Sequence, residues 1–498
     1  MSKNSIIIIG AGLGGLSTGC YAQMNGYQTH IFEQHHVPGG LACCWKRKGY
    51  LIDGGIHFLT GYRSGYRIYN IFKEIGVDKI PYINLNMYGR FIDEKQGMSV
   101  DIHDNLAKLQ QELVEKFPED NKTIRELISA TRLMARKDLQ DIGFTKPGEL
   151  MGLTDWIKEL WKLKGSFRFM IGKWNKPVYK YVEKIHNSFL KELLMNFFLP
   201  IMPAWFIVMI LGSLVAGQLG VIQEGSLEFA RAIEKRYLEL GGEISYQSDV
   251  KEILVENNSA TGVLLADESK HQSDYVVSAA DGYHTIFELL KGRYVSEKIK
   301  KRYSQAKGLY SMVEVSFGVS QEFKDEPWMT LMKLGQPITI GSESIDLVTF
   351  RVLNYGSKFA PKGKTVFQVG FEGDWDFWNE LRKDKEKYDA EKERIAADVL
   401  KILDRHHPGF SSKVEVTDVA TPWTYYRYTR NFKGSIMGFI PDNLYEQVKK
   451  TLPGLSDFFM AGQWSMPMGG VLTTIYSGRH VMQLICRKDK KKFKTTFA

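Results

Sequence analysis

The sequence predicts an α/β protein whose sheets draw strands from separate stretches of the chain. Three observations predict it. Residues 1–34 read as strand, glycine turn, helix and strand. Residues 105–220 space their apolar side chains by three and four, as helices do. After residue 220 short apolar strands return and alternate with amphipathic helices.

Ser5-Ile6-Ile7-Ile8-Ile9 is the first strand, and Gly10-Ala11-Gly12-Leu13-Gly14-Gly15 follows it directly. Gly10 lets the chain turn sharply out of the strand. Gly12 leaves room for a pyrophosphate against the backbone, and Gly15 lets helix and strand pack closely. Leu13 and Gly14 open the helix, whose unpaired N–H groups and partial positive charge suit phosphates. A second strand over 28–32 ends at Glu33, an acid placed to accept hydrogen bonds from both hydroxyls of a ribose and to disfavour a 2′-phosphate there. The strand before the glycines, the helix after them and the acid at this distance make a Rossmann-like dinucleotide-binding unit.

Four helices are predicted next, over 105–117, 121–142, 153–164 and 179–199. Another starts at 225–234, with Ser226 as its cap and Gly241-Gly242 as its stop. Strands over 243–246, 250–256, 262–265 and 275–278 lead back towards the nucleotide. Residues 305–420 mix strands at 312–317, 345–352 and 365–370 with a charged helix at 384–403. A strand at 458–461 and a helix at 470–488 close the chain. Residues 1–75, 221–300 and 415–498 are assigned to a discontinuous dinucleotide domain. Residues 76–220 and 301–414 are assigned to a mixed-sheet and helical substrate domain facing a membrane.

The net charge of +9 is partly local. Arg487 to Lys494 is one basic cluster, expected as a solvated end. Residues 156–184 hold eight basic and two acidic residues, interleaved with Trp156, Trp161, Phe167, Phe169, Trp174, Tyr179 and Tyr181. Two readings stand for that segment: a peripheral contact with an anionic membrane surface, or a solvated helical face with core aromatics. No recognition motif accompanies the charge, so nucleic acid is not an expected partner. Residues 197–217 lack any charge over twenty-one positions. Pro200 and Pro203 interrupt the run, and a span here would part its flanking motifs across a bilayer. A buried or half-buried helix is predicted instead. Four cysteines, at 20, 43, 44 and 486, give no disulfide framework, and no secretory signal precedes the first strand; a reducing, cytoplasmic setting is expected.

Further motifs carry a resemblance. Phe32-Glu33-Gln34-His35 is followed by Pro38-Gly39-Gly40, and Asp53-Gly54-Gly55-Ile56-His57-Phe58 comes next. Asp281 ends Val276-Val277-Ser278-Ala279-Ala280-Asp281. Thr421-Pro422 runs on to Gly434, and Met460-Ala461-Gly462-Gln463-Trp464 to Gly478-Arg479. Over nearly its whole length the chain resembles the FAD-dependent phytoene desaturase, carotenoid isomerase and retinol saturase superfamily, and more distantly the flavin amine oxidases. The resemblance implies FAD. It places Gly39 and Gly40 past the pyrophosphate, with Leu41 donating a backbone N–H and Gln34 and Ala280 beside the nucleotide. It puts the Val250 backbone at the adenine, and Ile56 and His57 beside the isoalloxazine. Gly462 and Gln463 approach the ribityl chain. Gly469, Gly470 and Val471 open the last helix, whose dipole favours negative charge at flavin N1–C2=O. Two departures are Gln463, where the family usually has Asp, and Leu41, where many members have Arg.

The implied reaction is hydride transfer at flavin N5 to or from carbon–carbon bonds of a long apolar polyene or isoprenoid lipid. Desaturation, saturation and cis–trans isomerisation all fit. Candidate chemical groups are His57, Tyr425, Arg427 and Tyr428. The alternative for His57 is a structural hydrogen bond to a loop carbonyl, and for the other three pocket wall and surface pairing. NAD(P)H is carried as an electron donor without a second nucleotide motif to hold it. Cys43-Cys44 reads as a redox pair or as buried thiols. His35-His36 and His406-His407 form no metal-ligand pattern, so no metal is expected. Two competing functions remain: an amine-oxidase-like enzyme acting on a small amine, and a flavin- and prenyl-lipid-binding escort without turnover.

Overall fold

The computed structural model describes residues 4–137, 145–162, 172–304, 309–439, 448–466 and 469–495. The strand Ser5–Ile9 lies at the centre of a five-stranded parallel sheet. Gln28–Phe32 and Glu243–Ser245 lie on one side, Tyr275–Ser278 and Phe458–Met460 on the other. Four of the central isoleucines are buried, as a parallel sheet covered on both faces requires. The helices Leu13–Met24, Ser226–Glu239 and Val471–Lys488 contribute to one of the two cores that cover it. The predicted α/β fold with a Rossmann-like sheet built from distant segments is therefore present.

A second sheet of seven strands has the order Val414–Ala420, Met312–Val319, Thr365–Glu372, Glu343–Val352, Met329–Ile340, Met87–Asp93, Met98–His103. All its pairs are antiparallel except Met329–Ile340 with Met87–Asp93. The helix Lys385–His406 packs Ile395, Val399 and Ile402 against this sheet. A helical body built on Leu106–Lys116, Asn121–Met134, Ser188–Met195 and Trp205–Val215 forms the remaining large core.

Most predicted elements appear within a few residues of their expected ends, and the main exception has an identifiable cause. The helix predicted over 179–199 is broken into Val178–Tyr181, a tight turn at Val182–Lys184, and Ser188–Met195. The buried carboxylate of Asp120 accepts the backbone N–H groups of His186 and Asn187, which pulls the chain out of helical conformation. Asn187 then caps the next helix by accepting from Phe189 and Leu190. Ser226 is not a cap: Gly225, at φ +91°, takes that position. The predicted 121–142 helix is seen to Met134, and residues 138–144 lie outside the described residues, as do Phe167 and Phe169.

The uncharged stretch at 197–217 yields the eleven-residue helix Trp205–Val215, preceded by both prolines. It is about 16 Å long, half of what a hydrocarbon core requires. Among the described residues no helix is long and apolar enough to cross a membrane. The C-terminal basic cluster is not simply a solvated end. Phe493 packs beside Tyr21, Lys491 lies 4.0 Å from the Tyr27 ring centroid, and the Lys494 N–H donates to Asn25.

Candidate active site

Backbone, rather than side chains, builds the nucleotide end of the site. The Gly10 N–H donates to the Phe32 carbonyl (2.8 Å), closing the first strand onto the second. Gly12 then caps the helix Leu13–Met24 without any side-chain capping bond, so its first amides stay available. Gly39 bridges to Gly12 and donates to the Ala11 carbonyl (2.9 Å), bringing the two glycine turns side by side. A Cβ on Gly12 would meet nothing within 4 Å, whereas one on Gly15 would lie 1.9 Å from the Gly10 carbonyl oxygen. One glycine therefore faces open space and the other a wall.

The C-terminal helix joins this cradle. Gly470 caps Val471–Lys488, again with no side-chain bond. Ser17 donates to the Ile475 carbonyl (2.8 Å), and a Cβ on Gly14 would sit 2.7 Å from the Gly462 Cα and 3.5 Å from the Thr474 methyl. Gly462 donates its N–H to Ser477 (2.7 Å). Gln463 lies against Gly469, whose added Cβ would stand 3.1 Å from the glutamine Cβ. The N-terminal glycine turn and the last helix, more than 400 residues apart in sequence, thus pack against each other, and neither helix has a side-chain cap at its N-terminus.

Glu33 is buried at the end of the second strand. Its carboxylate accepts from Ala11 N–H (2.6 Å) and His35 N–H (2.8 Å). Burial pushes this carboxyl up while those N–H groups hold it down. Gln34 donates to the Tyr428 carbonyl (3.2 Å). Ala280 lies beside Gly10, and Val250 begins the strand that follows Asp249. Asp249 pairs bidentately with Arg430 (2.7 and 2.8 Å). No local pattern signals that pair, because the partners lie 181 positions apart.

Ile56 has φ +63°, a left-handed conformation that costs a β-branched residue roughly 1–3 kcal/mol. The loop holding it is clamped from below. Arg351 is buried, and its Nη2 donates to the Asp53 carbonyl (2.6 Å), Glu314 (3.1 Å) and Gln368 (2.9 Å). Gln368 donates in turn to Glu314 (2.7 Å). Burial pushes Glu314 up to about 7 against the pull of Arg351. His57 makes no hydrogen bond among the described residues. Burial and the Arg351 guanidinium hold its imidazole well below the usual range, keeping it neutral.

The remaining candidates separate. Tyr425 is buried against Met312 and Ala420, with Leu41 and Trp45 packed on the same cluster, and its hydroxyl has no hydrogen-bond partner among the described residues. Arg427 and Tyr428, on the same short helix, are exposed; the Tyr428 ring stands edge-on to His35 (5.5 Å), two residues beyond Glu33. Arg427 and Tyr428 therefore stand apart from the other two, whereas Tyr425 and His57 both lie within electrostatic reach of Arg351. Cys43 and Cys44 are free thiols, and burial pushes Cys43 up to about 12, which favours an inert thiol over a redox pair. Among the described residues no group of three or more His, Cys, Asp and Glu side chains could hold a metal.

The pattern of the family described as Flavin containing amine oxidoreductase matches residues 13–486. The chain belongs to that family. Its members' flavin accounts for the cradle, and the protein is an FAD-dependent oxidoreductase. The residues present fit FAD: a Cβ on Gly12 meets nothing within 4 Å, which leaves room for a pyrophosphate, and the helices that start at Leu13 and Val471 have no side-chain cap.

Relatives within the wider superfamily are distant but extend along the chain. Prolycopene isomerase of Arabidopsis thaliana is 23% identical, aligned over 95% of this chain and 81% of its own. Phytoene desaturase (neurosporene-forming) of Rhodobacter capsulatus is 26% identical over 97% of this chain and 95% of its own. Among solved structures, an oxidoreductase from Methanosarcina mazei superposes with TM-score 0.57 at 18% identity, covering 96% of this chain and all of that one. Putrescine oxidase bound to putrescine superposes with TM-score 0.59 at 13% identity, covering 98% and 99%. At such identities these structures show the fold alone.

Proposed function

We propose that this flavoenzyme acts on carbon–carbon bonds of a long apolar polyene, desaturating, saturating or isomerising it. The observation that carries the proposal is the alignment, over nearly the whole chain, with a prolycopene isomerase and a phytoene desaturase. The packing supports it. Phe58, next to His57, stands 6.2 Å from Tyr88, which stacks on Phe197 at 4.3 Å. From the Ile56-His57 loop, apolar contacts therefore run unbroken into the helical body.

Bound FAD supplies hydride exchange at N5. The chain's own task is placement and exclusion of water. The Arg351 cluster fixes the Asp53–His57 loop from below, and the strained Ile56 backbone is held in place by that packing. Neutral His57 carries one ring proton without a charge, which suits an apolar partner. Tyr425 offers a buried hydroxyl that no described group uses. In this reading Glu33 and Gln34 hold the adenosine side and Gly462 and Gln463 the ribityl side. NAD(P)H is a soluble donor that saturation or isomerisation would draw on.

The test is anaerobic incubation of the yellow protein with acyclic polyenes in detergent micelles, following flavin absorbance and product mass together. Bleaching with loss of two hydrogens from the polyene marks desaturation. Gain of two hydrogens, or isomerisation at constant mass by the pre-reduced protein, marks the other two reactions. Bleaching by small primary amines with polyenes left unchanged overturns the proposal in favour of amine oxidation. Absence of turnover with either class leaves the escort reading in its place.

A further inference from the structure

The helix Leu153–Lys162 is inside out. Leu153, Trp156, Ile157, Leu160 and Trp161 recur at intervals of three and four, the pattern of a core-facing stripe. Yet they are 77, 47, 48, 54 and 70% exposed, and the only buried residue of the helix is Glu159. These five are more than half of the nine large exposed hydrophobic residues among the described residues, so they form a patch rather than scatter.

Polar contacts hold the helix this way round. Glu159 accepts from Lys162 (2.6 Å) and from Thr145 (3.3 Å), and Asp155 accepts from Lys146 (2.8 Å) and from Gly152 N–H (3.0 Å). The Thr145 carbonyl accepts from Arg479 (2.8 Å) and Gln483 (3.2 Å) of the C-terminal helix. The charged side is thus fastened to the flavin-binding end, and the apolar side is left outward.

We propose that this stripe seats in the headgroup region of an anionic lipid bilayer. Two tryptophans and three aliphatic side chains form the face, and the exposed Lys158 lies on the same ten-residue helix of a chain whose net charge is +9. Trp with Leu on one side and Lys on the other is the composition of helices that lie in the interface plane. A second copy of the chain fits less well. A helix about 15 Å long offers far less than the roughly 800 Å² per partner that a stable interface buries. The proposal goes beyond the polyene reading and stands without it, since a docked enzyme with another lipid substrate would keep this surface.

The FAD-loaded full-length protein is floated with vesicles of phosphatidylcholine, with and without a minority of phosphatidylglycerol. Flotation with the anionic vesicles is expected. The Trp156→Glu/Leu160→Glu variant should lose it by about tenfold, with flavin content and elution volume unchanged. Brominated lipid should quench tryptophan fluorescence of the unmodified protein, and Trp156→Phe/Trp161→Phe should lose that quenching. Equal flotation of protein and charged variant overturns the proposal. So does failure of the unmodified protein to float with either vesicle. A lipid-free dimer that the Glu variant dissociates overturns it too, and assigns the stripe to self-association.

Discussion

The two sheets carry opposite kinds of specification. Around the five-stranded parallel sheet the working parts are backbone amides and missing side chains: Gly10, Gly12, Gly15 and Gly39 bring two turns together at the start of a helix that has no side-chain cap. On the seven-stranded sheet the working parts are side chains gathered by register. Arg351 is directly opposite Gln368, and Gln368 is opposite Ser316, so three strands place a cation, an amide and a hydroxyl in one row, with Glu314 beside them. The first kind of site is written in consecutive residues. The second depends on pairings between residues 17 to 54 positions apart.

The largest expected effect tests the first kind, by making one substitution at two glycines three residues apart. Gly15→Val drives a side chain into the Gly10 carbonyl and should cost on the order of 3 kcal/mol or more, seen as lost soluble yield and a lowered unfolding midpoint. At Gly12 an added Cβ meets nothing within 4 Å, so the Gly12→Val apoprotein should unfold within about 1 kcal/mol of the parent while flavin retention is abolished. Equal loss of stability in both variants would show that Gly12 faces packed protein and not a ligand space.

The same contrast explains what the sequence revealed. The glycine turn, its strands, Glu33 and the last helix were legible because each is local and its physical reason is local. The Arg351 cluster was not, because Arg351, Glu314 and Gln368 look like ordinary strand residues until the strands are paired. The Asp249–Arg430 pair was hidden for the same reason. The break before Ser188 was hidden because its cause, Asp120, lies in another helical segment. The inverted helix over Leu153–Lys162 was legible as amphipathic but not as outward-facing. Periodicity gives a stripe, and only the Glu159 contacts say which way it points.

The next effect in size tests the second kind. Arg351→Met leaves Glu314 buried beside Asp53 without its cation, a loss of about 3–5 kcal/mol when the carboxylate stays charged. Glu314 can escape by taking up a proton, so the penalty should be smaller at pH 5 than at pH 8. Adding Glu314→Gln should recover part of it. Denaturant unfolding of the single and double variants at the two pH values checks this. An Arg351→Met protein as stable as the parent at pH 8 would remove the cluster from the loop's support.

The smallest effect compares the two regions directly, because each buries one carboxyl raised to about 7: Asp281 at the end of the parallel sheet and Glu314 on the other sheet. Burial is the first cause in both. Asp281 accepts from His284 N–H and Phe432 N–H (both 2.8 Å), and these bonds oppose the shift without cancelling it. In the unfolded chain such groups titrate near 4. Between about 4 and 7 the folded state therefore holds protons that the unfolded state has lost, and stability falls as pH rises through that window. Asp281→Asn and Glu314→Gln should each remove part of this slope, whatever they do to stability at a single pH. The change is expected to be a few degrees in unfolding midpoint between pH 4 and 8. Additive flattening would show two independent buried protons, one in each region. If Glu314→Gln alone abolished the slope, Asp281 would be ionised in the folded protein, held so by its two N–H donors, and the backbone-built region would be indifferent to pH.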